Sequence, residues 1–124
     1  MDRTKIQTGR SNQHSQISLK KREDMKFSPC LDIFFSTLSF SERLQQISQL
    51  GFTHYEFWTW WDKDMTEITE LSQQLELHPA AYCTKFISLV NPEERSHYLE
   101  GLQETIDQCQ KTQTKVIISQ VGDE

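Results

Sequence analysis

The sequence has little of what marks disulfide-stapled, membrane-spanning or nucleotide-binding proteins. Cysteine occurs only as Cys30, Cys83 and Cys109, an odd number without CxxC spacing, which argues against a disulfide framework or a zinc site. No apolar run approaches the ~20 residues that span a bilayer, and the start lacks the apolar core of a secretory signal. No glycine-rich loop follows the first predicted strand, which disfavours a Rossmann nucleotide site. We therefore expect a cytoplasmic protein without a membrane contact.

The first 24 residues differ in composition from the rest of the chain. They contain no aromatic residue, and six basic against three acidic side chains give them a charge of +3. Since the whole chain carries −5, residues 25–124 carry −8. This division predicts a disordered basic tail over 1–24 and one folded domain over 25–124. So acidic a domain is a poor candidate for binding the phosphate backbone of a nucleic acid.

After the tail, short strand-like runs alternate with amphipathic segments that carry helix caps. Ser39 begins a capping box with Glu42, Asp64 and Asn91 repeat the N-cap signature, and Gly51 is typical of a left-handed helix end. The order of predicted elements is β-α-β-α-β-α-β. The predicted strands lie at 27–35, 54–58, 80–85 and 116–118, the last an apolar run typical of a strand buried on both faces.

Strands joined by helical crossovers of this length are parallel, and each crossover is expected to be right-handed. Half of a (β/α)₈ barrel and a small doubly wound sheet both fit this order. Polar residues gather at the carboxyl ends of the predicted strands, namely Asp32, Glu56, Lys85 and Gln120. In a barrel these positions line the mouth where the active site is built. The pattern therefore favours an α/β fold that is a partial (β/α)₈ TIM barrel, a (βα)₃β₄ half-barrel.

The second predicted strand carries the most informative side chains. Glu56 shares a strand face with Trp58, and a carboxylate beside indoles can have a raised pKa and act as an acid or base. The alternative is a structural ion pair between Glu56 and Lys85. Lys85 is otherwise a candidate anchor for a substrate carboxylate or phosphate. The predicted substrate-binding residues are Asp32, Glu56, Trp58, Lys85 and Gln120.

The loop after this strand contains further candidates. We expect Trp58 or Trp60 to lie near a pocket, where indoles stack against sugar rings, and Trp61 to serve packing. Lys63, between two aspartates, is either an anchor for an anionic substrate or a solvated surface charge. The histidines stand apart from other ligand types, so the sequence predicts no metal ligands.

Four stretches, residues 25–32, 56–64, 83–90 and 118–122, carry a family resemblance. Their sequences are MKFSPCLD, EFWTWWDKD, CTKFISLV and ISQVG. Together they resemble the hydroxypyruvate isomerase-like branch of the sugar phosphate isomerase/epimerase superfamily, whose members have the xylose isomerase-like TIM barrel. The resemblance extends over 25–124 and implies carbohydrate metabolism through aldose–ketose isomerisation, such as hydroxypyruvate to tartronate semialdehyde.

That reaction moves a proton between adjacent carbons through an enediol, which requires a carboxylate base, a second acid and a stabilised oxyanion. The resemblance implies a divalent metal, Mg²⁺ or Mn²⁺, in the full-length family, with the paired glutamates and metal ligands on strands five to eight. We expect this chain to end after strand four. It would then contain no catalytic residue, bind no metal, and be inactive alone.

Several alternatives stay open at this point. The chain could be a non-catalytic half-barrel or split-gene subunit that associates with another half, because exposed strand edges favour self-association. An endonuclease of the same superfamily that acts at abasic DNA sites would need a basic groove, which the acidic domain does not offer. A flavodoxin-like binding domain would need helices on both faces of its sheet. The expected partner is a small sugar or hydroxy-keto acid, and neither nucleic acid nor membrane.

Overall fold

The computed structural model describes residues 25–122, so the predicted disordered tail over 1–24 lies outside the described residues. Three strands form a parallel sheet in the order β1-β2-β3, and Cys30 adds a fourth position through a parallel bridge to Glu56. Neighbours in the sheet are thus neighbours in sequence, as in a barrel, whereas a doubly wound sheet reverses its order. The elements are α1 (Phe40–Gln49), β1 (His54–Glu56), α2 (Met65–Gln74), β2 (His78–Cys83), a 3₁₀ turn (Pro92–Glu94), α3 (Arg95–Thr112) and β3 (Val116–Ile118).

Helices α1 and α2 begin where the sequence predicts, whereas α3 begins at Arg95, after a 3₁₀ turn that Asn91 caps and Pro92 opens. The Ser39 amide donates to the Glu42 carboxylate at 2.8 Å, while the Glu42 amide donates to the Ser39 hydroxyl at 3.3 Å, which completes the capping box of α1. The Asp64 carboxylate accepts from two backbone amides in the first turn of α2. Asn91 accepts from the Glu93 amide ahead of α3. Within residues 25–122, no helix is long and apolar enough to cross a membrane.

All three helices end in the same left-handed turn, although only one of them uses glycine. Gly51 after α1 has φ +88°, whereas Glu76 after α2 and Gln113 after α3 have φ +55° and +58°. Left-handed backbone costs a side-chain-bearing residue about 1 kcal/mol or more. The long Schellman hydrogen bonds are nonetheless present, from the amides of Phe52, Leu77 and Thr114 to the carbonyls of Ile47, Ser72 and Cys109.

The helices cover one face of the sheet, where the core lies. Phe57 is fully buried, stacks on Tyr82 with ring centroids 5.1 Å apart, and meets the edge of Phe40 from α1 at 5.5 Å. Tyr55 lies beside Phe57 and hydrogen-bonds Ser72 of α2 at 2.8 Å. Burial raises the pKa of Tyr55 to about 12, so its phenol stays neutral.

A bulge in β2 brings Tyr82 onto this covered face. Tyr55 pairs with Pro79 but Glu56 pairs with Ala81, so Ala80 has no partner in β1. Pro79 cannot donate a backbone hydrogen bond, and prolines in strands occur at such irregularities. The extra residue shifts the alternation by one, which aligns Tyr82 with Phe57 and leaves Ala81 and Cys83 on the opposite face.

The first predicted strand is much longer than the observed pairing. Instead of 27–35, only Cys30 bridges β1, with the Leu31 amide donating to Glu56 at 2.8 Å. The chain then turns, because the amides of Ile33 and Phe34 donate back to the Cys30 carbonyl. The Arg43 guanidinium fixes this turn from α1 by donating to the carbonyls of Leu31, Ser36 and Leu38.

The prediction that the last strand is buried on both faces is wrong for the described residues. Its bounds are as predicted, and Ile117 packs against the core. Val116 and Ile118, however, are 54% and 40% exposed. They pair with Ala81 and Cys83, so they point to the face that no helix covers. An apolar run allows a strand to be buried on both faces, but no described element covers the Val116 and Ile118 face of this strand.

Candidate functional site

The candidate site lies at the carboxyl ends of the strands, on the uncovered face. Glu56 closes β1 there, half-buried, with Cys30 bridged to it on one side and Ala81 paired on the other. Within residues 25–122 its carboxylate has no ion-pair partner. The predicted pairing of Glu56 with Lys85 is therefore wrong, because Lys85 is engaged elsewhere.

Lys85 forms an ion pair with Glu104 of α3. Its ammonium also lies 5.5 Å from the Trp60 ring centroid, in cation–π geometry. Gly101 makes this approach possible, because a Cβ there would come within 3.4 Å of the Lys85 Cβ and 3.2 Å of the Ile87 Cδ1. The Lys85 side chain thus lies along α3 and does not reach the Glu56 side of the site.

Asp32 joins the turn after Cys30 to the loop after β1. Its carboxylate accepts from the Trp58 amide at 2.6 Å and the Thr59 amide at 3.3 Å, and pairs with the Lys63 ammonium at 2.9 Å. Burial acts to raise the pKa of Asp32, but the Lys63 hydrogen bond and charge and the two amides outweigh it and hold the pKa below its ordinary value. The Asp32 carboxylate is ionised and is already bound by Lys63 and two amides. It therefore positions the Trp58 loop and is not free to bind a substrate.

Lys63 is neither the solvated charge nor the substrate anchor that the sequence suggests. Besides Asp32, it donates to the Thr59 carbonyl at 2.7 Å and pairs with Asp62 at 3.2 Å. Its ammonium also lies 5.4 Å from the ring centroids of Phe40 and Phe57, above the core. Lys63 therefore ties the loop to the sheet. The aspartates on either side of it in sequence favoured a surface position, and the partner that decides its role is remote in sequence.

The three tryptophans separate into different environments. Trp58 is 43% exposed beside Glu56, as a pocket wall requires. Trp60 is directed to α3, where its indole N–H donates to the Thr105 hydroxyl at 3.2 Å. Trp61 packs edge-on against Phe86 with centroids 5.1 Å apart. Trp58 is thus the indole that faces the open site.

Gln120 lies apart from these residues. It follows β3 and lines a separate small cavity of about 210 Å³ with Phe86, Ile87, Ser88 and Gly122. Of the five predicted site residues, the structure brings Asp32, Glu56 and Trp58 together, whereas Lys85 and Gln120 point elsewhere.

Two buried thiols lie on the same uncovered face. Burial is the main cause that raises the pKa of both Cys30 and Cys83, and the carboxylates of Asp32 and Glu56 add to it. Both thiols are therefore protonated at neutral pH and are poor nucleophiles and poor metal ligands. They form an apolar floor beside Glu56.

The described residues do not fit a divalent-cation site. No group of three or more histidine, cysteine, aspartate or glutamate side chains in residues 25–122 could hold a metal ion. Asp32, at the same end of the strands as Glu56, already binds Lys63 and two amides. The donor set of residues 25–122 therefore does not by itself fit Mg²⁺ or Mn²⁺.

Comparison with known proteins supports the fold and leaves the chemistry open. Neither protein-family models nor curated protein sequences match the chain. Its structure is similar to the crystal structure of an AP endonuclease, family 2, from Brucella melitensis, with a TM-score of 0.67 and 16% sequence identity. The similarity covers 74% of this chain and 39% of that one, so the chain spans about two fifths of its structural neighbour. The chain therefore has the fold of part of a (β/α)₈ TIM barrel, and the similarity does not single out the hydroxypyruvate isomerase-like branch.

Proposed function

We propose that this chain forms one wall of the substrate pocket of a sugar isomerase or epimerase with a xylose isomerase-like barrel. The observation that carries the proposal is the Glu56 carboxylate at the carboxyl end of β1, beside the exposed Trp58 indole and without a cation partner in the described residues. A carboxylate accepts hydrogen bonds from sugar hydroxyls, and an indole stacks on the C–H face of a sugar ring.

The charges at this end favour a neutral sugar over a hydroxy-keto acid or a sugar phosphate. Lys63 and Lys85 follow β1 and β2 at this end, and each is held in an ion pair, with Asp32 and Glu104 respectively. In this part of the pocket, an anionic substrate would meet the Glu56 carboxylate with neither of these two lysines free to pair with it. The hydroxypyruvate substrate implied by the sequence resemblance is therefore the less favoured member of the proposed class.

Turnover by an enediol route needs a second acid and a group that stabilises the oxyanion. We propose that these groups, and any Mg²⁺ or Mn²⁺, come from the other half of the barrel, which packs against the open edges of the described sheet. The three buried thiols fit a cytoplasmic setting. The alternative is a non-catalytic half-barrel that only associates with another half.

Binding to the ¹⁵N-labelled chain tests the proposal by chemical-shift perturbation. A neutral pentose or hexose should shift the Trp58 indole resonance with an affinity in the millimolar range, about −4 kcal/mol or weaker. Glu56→Gln should weaken this binding severalfold, whereas Glu70→Gln, an exposed glutamate on α2, should leave it unchanged. Hydroxypyruvate should bind more weakly than the sugar.

The same titration is repeated with DNA that contains an abasic site, because the structural neighbour is named an AP endonuclease. A duplex containing an abasic site should leave the Trp58 resonance unmoved, because residues 25–124 carry a charge of −8 and phosphate binding depends on basic groups. A specific shift with this duplex, or sugar binding that ignores Glu56→Gln, would contradict the proposed function.

A further inference from the structure

The amino ends of the strands carry a set of basic side chains that the proposed function does not use. Lys26 lies shortly before the Cys30 bridge, His54 and His78 open β1 and β2, and Lys115 directly precedes β3. All four line one cavity of about 520 Å³ at this end of the sheet. We call them the basic cluster. The parallel topology alone brings them together, because it places the starts of all the strands at one edge.

Among the residues that the structure describes, no acidic side chain lines the cavity of the basic cluster. The other lining residues are Pro79, Ala80, Thr112 and Gln113, none of which is charged. Lys26 and Lys115 form no ion pair with any other residue of 25–122. Four basic groups around one cavity contrast with the charge of −8 on residues 25–124. This local excess of positive charge is therefore uncompensated by the neighbouring described side chains.

The two imidazoles are close enough to influence each other. Their ring centroids are 5.5 Å apart, and the His54 Nδ1 lies 2.8 Å from the Thr53 hydroxyl. Burial lowers the pKa of His54, and the charges of Lys26 and His78 lower it further. Protonation of His54 thus meets repulsion from the neighbouring basic groups, which a bound anion would relieve.

The adjoining cavity supplies the nearest other charges. It shares His78, Pro79, Thr112 and Gln113 with the first cavity and is also lined by Glu76 and Lys111. These two side chains have opposite charges, so together they leave the positive balance of the basic cluster in place.

We propose that the basic cluster binds a small polyvalent oxyanion, an inorganic phosphate or polycarboxylate group, at the amino end of the sheet. Lysine ammoniums act as point charges for such groups, and two neighbouring imidazoles add N–H donors whose charge rises when an anion binds. The site lies at the opposite end of the strands from Glu56 and Trp58. Its test is therefore independent of the proposed sugar pocket.

Histidine titration by NMR in the full chain tests the proposal, with inorganic phosphate and citrate as probes and sodium chloride at equal ionic strength as the reference. Phosphate or citrate should raise the pKa of His54 by about half a unit or more, because binding to the protonated form is linked to proton uptake, and should shift the ring resonances of the neighbouring His78. His97, exposed in the first turn of α3, is the internal control and should not respond. A response to phosphate alone or to citrate alone identifies the source of the oxyanion.

Variants then distinguish a site from general screening. Lys115→Gln should weaken phosphate binding by about 3- to 10-fold, as expected for one charge near a partly exposed site. Arg95→Gln, an exposed basic residue at the start of α3, should leave it unchanged. Circular dichroism of each variant checks that the fold persists. Equal responses of His54, His78 and His97, or equal effects of Lys115→Gln and Arg95→Gln, would overturn the proposal.

Discussion

The two faces of the sheet differ in how completely their side chains are buried and paired. On the helix-covered face, Tyr55, Phe57 and Tyr82 are almost fully buried, and the two tyrosine hydroxyls hydrogen-bond Ser72 and Thr112. On the uncovered face, Val116, Ile118 and Trp58 are exposed, and Glu56 has no ion-pair partner in the described residues. The buried aromatic packing thus lies on one face of a single layer of backbone, and the other face is open within the described residues.

The same division appears in the charged groups. Asp32 and Lys63 lie at the junction of the two faces, where the Lys63 ammonium is over the buried Phe57 ring and its ion pair fixes the Trp58 loop. Glu56, the last residue of β1, takes no part in this set of ion pairs and hydrogen bonds among the described residues. Charges that serve the fold are paired here, whereas the carboxylate that remains available is on the open face.

Truncating a covered-face aromatic should produce the largest effect. Phe57→Ala should reduce the free energy of unfolding by about 3–5 kcal/mol, because it leaves a cavity among Phe40, Tyr55 and Tyr82. Ile118→Ala, on the open face, should cost less than about 1 kcal/mol. Urea unfolding followed by circular dichroism measures both, and similar losses would show that the two faces contribute alike.

Breaking the ion pair at the junction should have the next largest effect. Asp32→Asn should cost about 2 kcal/mol at pH 7, because it leaves the Lys63 ammonium with poorer partners in a buried place. Asp62→Asn is the matched control, since Asp62 also pairs with Lys63 but is 57% exposed, and it should cost much less.

The stability difference between the unsubstituted chain and Asp32→Asn should depend on pH, because the pKa of Asp32 is lowered in the folded state. The folded-state pKa is depressed, so the stabilisation is fully present above the unfolded value of about 3.9 and is lost as pH falls through the lower folded value. The stability gap between the unsubstituted chain and Asp32→Asn should accordingly be constant from pH 6 to 7. It should close in acid, and a gap that persists at the lowest pH would contradict the assignment.

A charge on the open edge should weaken self-association. β3 is the last strand of the described sheet, with exposed apolar side chains and one edge unpaired within residues 25–122. Ile118→Lys should raise the dissociation constant of self-association by about tenfold, or ~1.4 kcal/mol. Leu99→Lys replaces a more exposed apolar residue on α3 and should change little. Sedimentation equilibrium measures both, and a chain that stays monomeric without substitution would refute the expectation.

The smallest predicted effect concerns the left-handed residues that follow the C-terminal ends of α1 and α3. Gln113→Gly should stabilise the chain by about 0.5–1 kcal/mol by relieving a left-handed side-chain residue at φ +58°. The reciprocal change, Gly51→Ala, should destabilise by about 1 kcal/mol, since no atom lies near the added Cβ and only the backbone angle opposes it. Thermal unfolding measures the pair, and shifts of the same sign would disprove the explanation.

Local signals predicted much of the fold. The capping box of Ser39 and Glu42, the cap at Asp64 and the left-handed Gly51 are confirmed because their partners lie within a few residues along the chain. The parallel direction of the strands followed from crossover length, whereas the barrel-like order was favoured by the polar residues at the strand ends. The extent of the first strand did not, because the chain turns after Cys30 through hydrogen bonds and through Arg43, which a run of apolar residues does not reveal.

The surroundings of the candidate residues were predicted only in part. Strand alternation predicted that Glu56 and Trp58 share one face, and their role in substrate binding stays a prediction. The partners of Lys63 and Lys85 could not, because Asp32 and Glu104 belong to other elements and any nearby carboxylate would have satisfied the same charge pattern. The basic cluster was missed for a similar reason: its members are scattered in sequence and share only their position at the start of each strand.

The sequence by itself determined where the described helices begin, that strands and helices alternate, and that the domain is acidic, because each depends on neighbouring residues or on composition alone. Only the tertiary structure decided which charges pair, which face of each strand is covered, and which basic groups share a cavity. Packing across the sheet moved Tyr82 onto the core face through the irregularity at Pro79. Such outcomes depend on distances between segments remote in sequence, which periodicity and composition do not encode.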